Sequence, residues 1–315
     1  MLFELADQNP CPTGAHPALV TTADGVILRT ARWLPQGEPR GTLLLLQGRA
    51  EMIEKYFETI GEFLQRGFAV IAFDWRGQGG SQRLLADPMK GHISDFDDYQ
   101  TDLEAVTQHY QSMLQKPVLI LAHSMGSMIL MRALTRKNDL ARAVILTAPM
   151  FAIRLLRDQL WLGRLVKTLC RLGLQTRYPP LYRSQSPFTT AFADNPLSRD
   201  PRRFKRTQEI LRASPALALG MPTLGWLNEA LKAMNGLAHS LPDLKTKDLP
   251  PLLVFAGVKD RVTASAAART VCAALDKATL IEIDHIEHEL LMELDNARAQ
   301  FWARVEETIL PLFPA

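Results

Sequence analysis

The sequence predicts an α/β chain with a mostly parallel central sheet, an antiparallel hairpin at its amino-terminal end and an inserted helical segment. Three observations carry this. Short runs that are apolar throughout alternate with longer stretches of helical periodicity, as strands buried on both faces of a parallel sheet require. Asp24-Gly25 stands between two strand-like runs, which signals a hairpin. The alternation stops after Pro149 and resumes only at Leu252.

Taken in order, 18–22 and 26–33 form the hairpin. The buried strands are 42–46, 69–73, 118–121, 143–146, 252–256 and 279–283. Helical patterns at 56–65, 96–114, 127–134 and 264–275 lie between them, and right-handed crossovers join them. In the interruption, Ile153, Leu156, Leu160, Trp161, Leu165, Leu169 and Cys170 fall close to helical spacing, with Arg154, Arg157, Arg164, Lys167 and Arg171 between them. A Pro- and Ser-rich stretch follows at 178–196, then a basic helix at 202–213 and an apolar helix at 224–234. The expected organisation is a sheet domain, 1–149 and 248–315, interrupted by a helical cap, 150–247.

Composition limits the function classes. The 315 residues are 47% hydrophobic, enough for a large core, and the net charge of +3 is too small to imply nucleic-acid binding. No apolar run reaches the roughly 18–20 residues that span a bilayer. The amino terminus lacks a basic segment followed by an apolar one, so no secretory signal is expected. Cys11, Cys170 and Cys272 are odd in number and far apart, which favours free thiols in a reducing cytoplasm over disulfides or a metal site. His16, His92, His109, His123 and His239 have no metal-ligand spacing. The acidic run from Asp95 to Glu104 reads as the start and exposed face of a helix. Neither metal nor cofactor is expected.

The chemistry centres on Ser124. The apolar run 117–121 leads into Ala122-His123-Ser124-Met125-Gly126, and a helical pattern follows. This matches the strand–turn–helix nucleophile elbow G-x-S-x-G, with Ala122 in place of the first Gly; the alternative is an ordinary helix N-cap. A serine hydroxyl needs a base. Asp260 lies just past one strand and His288 just past the next, completing the order Ser, Asp, His. Loops after strands are where catalytic groups of α/β sheets gather. His285 is the nearest rival base. The backbone N–H groups of Met125 and Arg49 are the candidate oxyanion donors, Gly48 allowing close approach. The glycine-rich 74–81 is not G-x-G-x-x-G, so a dinucleotide is not supported and a loop shaping the site is. The basic run 199–206 reads as a solvated face, or as a contact for anionic lipid head groups.

The set Gln47-Gly48-Arg49-Ala50-Glu51, Asp74-Trp75-Arg76-Gly77-Gln78-Gly79, Ala122-His123-Ser124-Met125-Gly126, Gly257-Val258-Lys259-Asp260 and His288-Glu289-Leu290-Leu291 resembles the monoacylglycerol lipase and lysophospholipase L2 group of α/β hydrolases, over nearly the whole chain. Gln47 replaces a usual His, and Ala122 a usual Gly. The resemblance implies the α/β-hydrolase fold, a triad of Ser124, Asp260 and His288, oxyanion N–H groups from Arg49 and Met125, and cleavage of a glycerolipid ester carrying one acyl chain, without cofactor. Leu156, Leu160, Trp161 and Leu165 are the candidates for lining an acyl tunnel or facing lipid, and would equally serve to pack the cap. A small lipid ester is the expected partner, with peripheral contact of the cap at the inner membrane face and no nucleic acid. The rival readings are acyl transfer or peptide hydrolysis on the same fold, or a non-catalytic lipid-binding protein.

Overall fold

The computed structural model describes residues 9–180, 188 and 190–313; part of the Pro- and Ser-rich stretch expected at 178–196 lies outside them. The strands are β1 (His16–Thr21), β2 (Ile27–Trp33), β3 (Gly41–Leu46), β4 (Phe68–Phe73), β5 (Val118–His123), β6 (Ala143–Thr147), β7 (Leu252–Gly257) and β8 (Ala278–Ile283). They form one eight-stranded sheet in the order β1-β2-β4-β3-β5-β6-β7-β8. β1 pairs antiparallel with β2, and β2 with β4; every later pairing is parallel. This is the α/β-hydrolase architecture, mostly parallel with an antiparallel amino-terminal hairpin.

The helices are α1 (Phe57–Gln65), α2 (Asp98–His109), α3 (Met125–Arg136), α4 (Arg154–Asp158), α5 (Leu160–Arg171), α6 (Pro201–Ala213), α7 (Leu224–Thr246), α8 (Ser265–Ala274) and α9 (Asp295–Thr308). The uniform apolarity of the inner strands follows from their double burial. Leu44, Ile120, Val144 and Val254 pack with residues of α2, α3, α7 and α8. Their neighbours Leu43, Leu119, Ile145 and Phe255 pack on the opposite face with α1 and α9. Successive strand residues point to opposite faces, so each position buries a side chain and contributes about 1.5–3 kcal/mol.

Helices α4 to α7 stand between β6 and β7. The single helical pattern expected through 153–170 is broken at Gln159 (φ −127°, ψ 76°) into α4 and α5. The apolar helix expected at 224–234 instead runs to Thr246, past Pro242. Gly236, His239 and Pro242 interrupt its apolar periodicity, but Leu237 and Leu244 remain fully buried. α7 packs along α3, α5 and α8, so it joins the inserted helices to the sheet domain. Among the described residues no helix is long and apolar enough to cross a membrane.

Candidate active site

Ser124 sits at the junction of β5 and α3 with φ 49° and ψ −111°, a conformation that a non-glycine residue holds only where its surroundings over-determine it. They do so here. Ser124 N donates to Thr147 O at 3.0 Å, and Ser124 O accepts from Ser127 N at 3.1 Å and Met150 N at 3.1 Å. The helix leaves the strand at close quarters: a Cβ on Gly126 would stand 2.3 Å from Leu46 O, so only glycine fits there. Ala122 at the other small position is fully buried and its O accepts from Ser127 Oγ at 2.9 Å. The strained backbone excludes the ordinary N-cap reading, and the Ser124 side chain caps no helical N–H.

Three loops at the carboxyl ends of β5, β7 and β8 bring the sequence candidates together. His288 Nε2 lies 2.9 Å from Ser124 Oγ, and His288 Nδ1 lies 2.8 Å from Asp260 Oδ2. Asp260 is itself held: Oδ1 accepts from Val262 N at 2.7 Å and Thr263 N at 2.9 Å, and Thr263 Oγ1 donates to Oδ2 at 2.6 Å. All three groups are buried. Burial pushes the Asp260 carboxyl up, but the adjacent His288 and the Thr263 donors override it and hold the group at about 2. Burial likewise works against the His288 cation, yet Asp260, with Glu289 and Glu51 behind it, leaves the imidazole above its ordinary 6.5. A charged acid thus supports an imidazole suited to take a proton from Ser124. His285, the rival base, is exposed with φ 60° and reaches no triad group.

The loop 47–51 runs alongside the nucleophile. A Cβ on Gly48 would meet Ser124 Cβ at 3.2 Å and His123 Cδ2 at 3.0 Å, so the backbone of the expected oxyanion loop passes directly against Ser124. Met125 is the first residue of α3, where an N–H has no helical partner. The glycine-rich 74–81 buttresses this loop from below. Gln78 Nε2 donates to Gly48 O at 2.8 Å, Gln78 Oε1 accepts from Ala50 N at 3.2 Å, and Trp75 Nε1 donates to Gln47 O at 2.8 Å. Gln47 Nε2 donates to Phe73 O at 2.7 Å and Asp74 Oδ1 at 2.6 Å.

Behind the loop lies a buried charge cluster that sequence reasoning missed. Lys55 Nζ donates to Glu51 at 2.7 Å and to Glu289 at 2.5 Å. Tyr56 Oη donates to Glu51 Oε2 at 2.7 Å, and Gly48 N donates to the same oxygen. Burial pushes the Glu51 carboxyl up, but the Lys55 charge and the hydrogen bonds from Lys55 and Tyr56 override it and hold it at about 2. His123 packs its ring on His288, centroids 4.9 Å apart. It stays neutral, burial pushing its pKa down to about 4. Glu51 therefore holds Gly48 while the pair Glu51 and Glu289 adds negative potential near His288. A Glu four residues before a Lys looks like a surface helix pair; nothing local signals that its third member lies 234 residues away.

Ser124 and His288 open into a cavity of about 390 Å³. Met150, Ile153, Leu211, Leu219, Met221 and Trp226 are among its apolar lining residues, and Asn195, Ser198, Thr207 and Gln208 among its polar ones. Leu156 and Leu165 do not line it. They line a neighbouring apolar cavity of about 380 Å³, which shares Ile153 and Leu227 with the first. Leu160 and Trp161 line neither and are 70% and 54% exposed. The assignment of these two as tunnel lining is corrected: helical spacing holds phase only within a continuous helix, and the break at Gln159 turns them outward.

The basic helix is also less free than it looks in sequence. Arg203 and Arg206 bind Glu58, while Arg202 and Arg203 bind Asp200 and Asp295. The arginines of 202–206 thus already hold carboxylates. Asp102 of the acidic run is buried and accepts from Arg76 N at 3.0 Å and Nε at 2.7 Å, and Asp97 pairs with Arg132 and Arg136.

A serine on a strained elbow, hydrogen-bonded to a histidine and through it to an aspartate, is the geometry of a serine hydrolase. The profile of the Hydrolase_4 family, described as serine aminopeptidase, S33, matches residues 37–295. The chain belongs to this family. Lysophospholipase L2 of Escherichia coli (strain K12) is 30% identical over 287 residues, 89% of this chain and 83% of that one. The probable lysophospholipase L2 of Haemophilus influenzae is 29% identical over 269 residues, 84% and 82% of the two chains. A soluble variant of monoglyceride lipase from Saccharomyces cerevisiae, solved with a substrate analogue, superposes with a TM-score of 0.72 at 15% identity, covering 97% of this chain and all of that one. That likeness carries the fold. The chain is an α/β-hydrolase enzyme of the lysophospholipase and monoacylglycerol lipase kind.

Proposed function

We propose that the protein hydrolyses the carboxylic ester of a glycerolipid carrying one acyl chain. The observation that carries this reading is the His288 bridge between Ser124 and Asp260 at the wall of a cavity lined by both apolar and polar residues. Ser124 Oγ attacks the ester carbonyl carbon as its proton passes to His288 Nε2, and Asp260 stabilises the imidazolium. The N–H groups of Arg49 and Met125 receive the developing oxyanion. Collapse breaks the bond to the leaving oxygen, and His288 gives that oxygen its proton. The acyl group is then an ester of Ser124. Water attacks it with His288 as base, and the fatty acid leaves as Ser124 recovers its proton.

The helices of 150–247 act as a cap over the site. Ile153 and Leu227, common to both cavities, make the cavity beside Leu156 and Leu165 a place for the far end of a long chain. Outside, α5 exposes Leu160, Trp161 and, just beyond its end, Leu172, beside Arg157, Arg164, Lys167 and Arg171. Apolar and basic groups in this combination suit a helix lying at an anionic lipid surface. The three free thiols, Cys272 pushed up to about 11 by burial, suit a reducing compartment.

The test is a panel of monoacylglycerols, lysophospholipids and short-chain esters, with product analysis. We expect free fatty acid from the single-chain lipids and covalent labelling of Ser124 by a fluorophosphonate. Acyl products on added alcohol or amine in place of fatty acid would make the enzyme a transferase. Peptide cleavage exceeding ester cleavage would make it a peptidase. Ester turnover retained by a folded Ser124→Ala variant would remove the assignment altogether.

A further inference from the structure

A second concavity, sharing no residue with the catalytic one, lies on the outer side of the loops that carry Asp260 and His288. It is an open basin of about 720 Å³, and Arg154, Arg199, Lys259, Arg261, His285 and Glu287 line it. Four permanent cations thus face one carboxylate. Two of them come from the helical segment between β6 and β7, and the rest of the basin from the loops after β7 and β8.

The way these cations are held distinguishes them from the arginines of α6. Each guanidinium of the basin is anchored by a main-chain carbonyl. Arg154 Nη1 donates to Asp260 O at 2.6 Å, Arg199 Nη1 to His285 O at 2.6 Å, and Arg261 Nη2 to Asn195 O at 2.7 Å. A carbonyl fixes a guanidinium in place without cancelling its charge, whereas the carboxylates on Arg202, Arg203 and Arg206 do both. What compensation exists is partial: Arg261 meets Glu287 at 3.2 Å, and Arg154 meets Asp158 at 3.7 Å. Among the described residues Arg199 and Lys259 form no ion pair, and both side chains are exposed. Positioned guanidinium forks with spare N–H donors match the geometry of a phosphate group, and a lysine adds a point charge.

We propose that this basin is a binding site for a phosphate-bearing group, separate from the catalytic cavity. A phosphate there contacts both the helical segment and the loops of Asp260 and His288. The proposal does not depend on the substrate of the catalytic site, because its readout is binding.

The phosphate can be free or part of a lipid head group, and two arms separate these sources. In the first, thermal unfolding of the full chain is followed in inorganic phosphate against sodium chloride at matched ionic strength, since screening alone moves surface charges. In the second, the chain is sedimented with vesicles of phosphatidylglycerol or of phosphatidylcholine. We expect wild type to respond to phosphate over chloride, or to phosphatidylglycerol over phosphatidylcholine. Lys259→Gln and the double variant Arg199→Gln with Lys259→Gln should weaken that response about tenfold or more, the share of one charge-assisted hydrogen bond. A response in the first arm assigns free phosphate, and one in the second alone assigns the head group. Neither residue forms an ion pair, so both variants should fold and turn over a water-soluble short-chain ester as wild type does. Wild type indifferent in both arms, or variants that keep the full response, would overturn the proposal.

Discussion

The carboxyl edge of the sheet and the helices above it are built differently. At the edge, Ser124, Asp260 and His288 are buried, and Ser124 and Asp260 are pinned by main-chain hydrogen bonds in addition to their mutual contacts. Above it, α5 contributes one fully buried side chain, Val166, and leaves Leu160 and Trp161 largely in solvent. The edge is arranged for chemistry on one carbonyl and tolerates little change. On the proposed reading the helices enclose an apolar chain, and side chains there can be exchanged with modest effect. Substitutions at the edge should therefore act on every ester alike, whereas those above should act through chain length or the lipid surface.

The largest effect after loss of Ser124 itself is expected from Asp260→Asn. The substitution removes the charge that favours the His288 cation and the acceptor that sets its tautomer; kcat should fall about 10⁴-fold on short and long esters alike. The pH profile is the sharper readout. The base must be neutral, so kcat/KM falls as pH drops through the His288 pKa. In wild type that midpoint lies above the ordinary 6.5, with Asp260 the largest contributor to the rise. In Asp260→Asn it should move down. A midpoint unchanged by the substitution would separate His288 from the acid–base role.

Next comes Glu51→Gln, which tests the cluster behind the oxyanion loop. Glu51 accepts from Gly48 N, Tyr56 Oη and Lys55 Nζ. Neutralising it leaves Lys55 buried with Glu289 alone, a loss of about 3 kcal/mol by denaturant titration. It also relaxes Gly48, so kcat should fall about tenfold with KM little changed, and the His288 midpoint should drop slightly. Loss of stability with wild-type kcat and pH profile would make the cluster purely structural.

For the helices above, Leu211→Trp is the matching test. Leu211 is buried on α6 and borders the cavity. A larger side chain shortens the space for a chain, so kcat/KM for a long-chain monoacylglycerol should fall about tenfold while a butyrate ester is unaffected. An equal fall on both would mean that the helix shapes the reacting centre as well as its apolar extension.

How much of this was legible in sequence follows the same division. The inner strands were readable because both faces of each are buried, leaving few polar positions, such as Thr42, His123 and Thr147 at or near strand ends, to obscure them. Ser124, Asp260 and His288 were readable as residues just beyond strand ends, in the order the fold demands. The charge cluster was not, because Lys55 and Glu289 meet only through the fold, and Gln78 sat in a glycine-rich loop whose contacts are equally non-local. Above the sheet, periodicity identified helices but not their phase. Leu156 and Leu160 are four apart and would share a face in one helix; the break at Gln159 sends one inward, 6% exposed, and the other outward, 70% exposed. The length of α7 was hidden for a related reason, since buried Leu237 and Leu244 are separated by residues that discourage a helix.

That outward turn sets the last and smallest effect. If Leu160 and Trp161 meet a lipid surface, replacing both by serine should leave turnover of a dissolved short-chain ester at wild-type level, because neither touches the cavity. Each apolar side chain withdrawn from water contributes about 1.5–3 kcal/mol when fully buried, and an interfacial helix buries only part of that. Partition onto phosphatidylglycerol vesicles should therefore weaken about tenfold, with KM for a vesicle-presented monoacylglycerol rising alongside it. The basic flank provides the control: Arg164→Gln with Lys167→Gln should weaken the same partition most at low salt and little at high salt, where charges are screened, whereas the Leu160 and Trp161 effect should persist at both. If the serine variant partitions as wild type does, its exposed side chains serve no lipid surface. The contrast between a rigid edge and a lipid-facing helix would then reduce to one of packing alone.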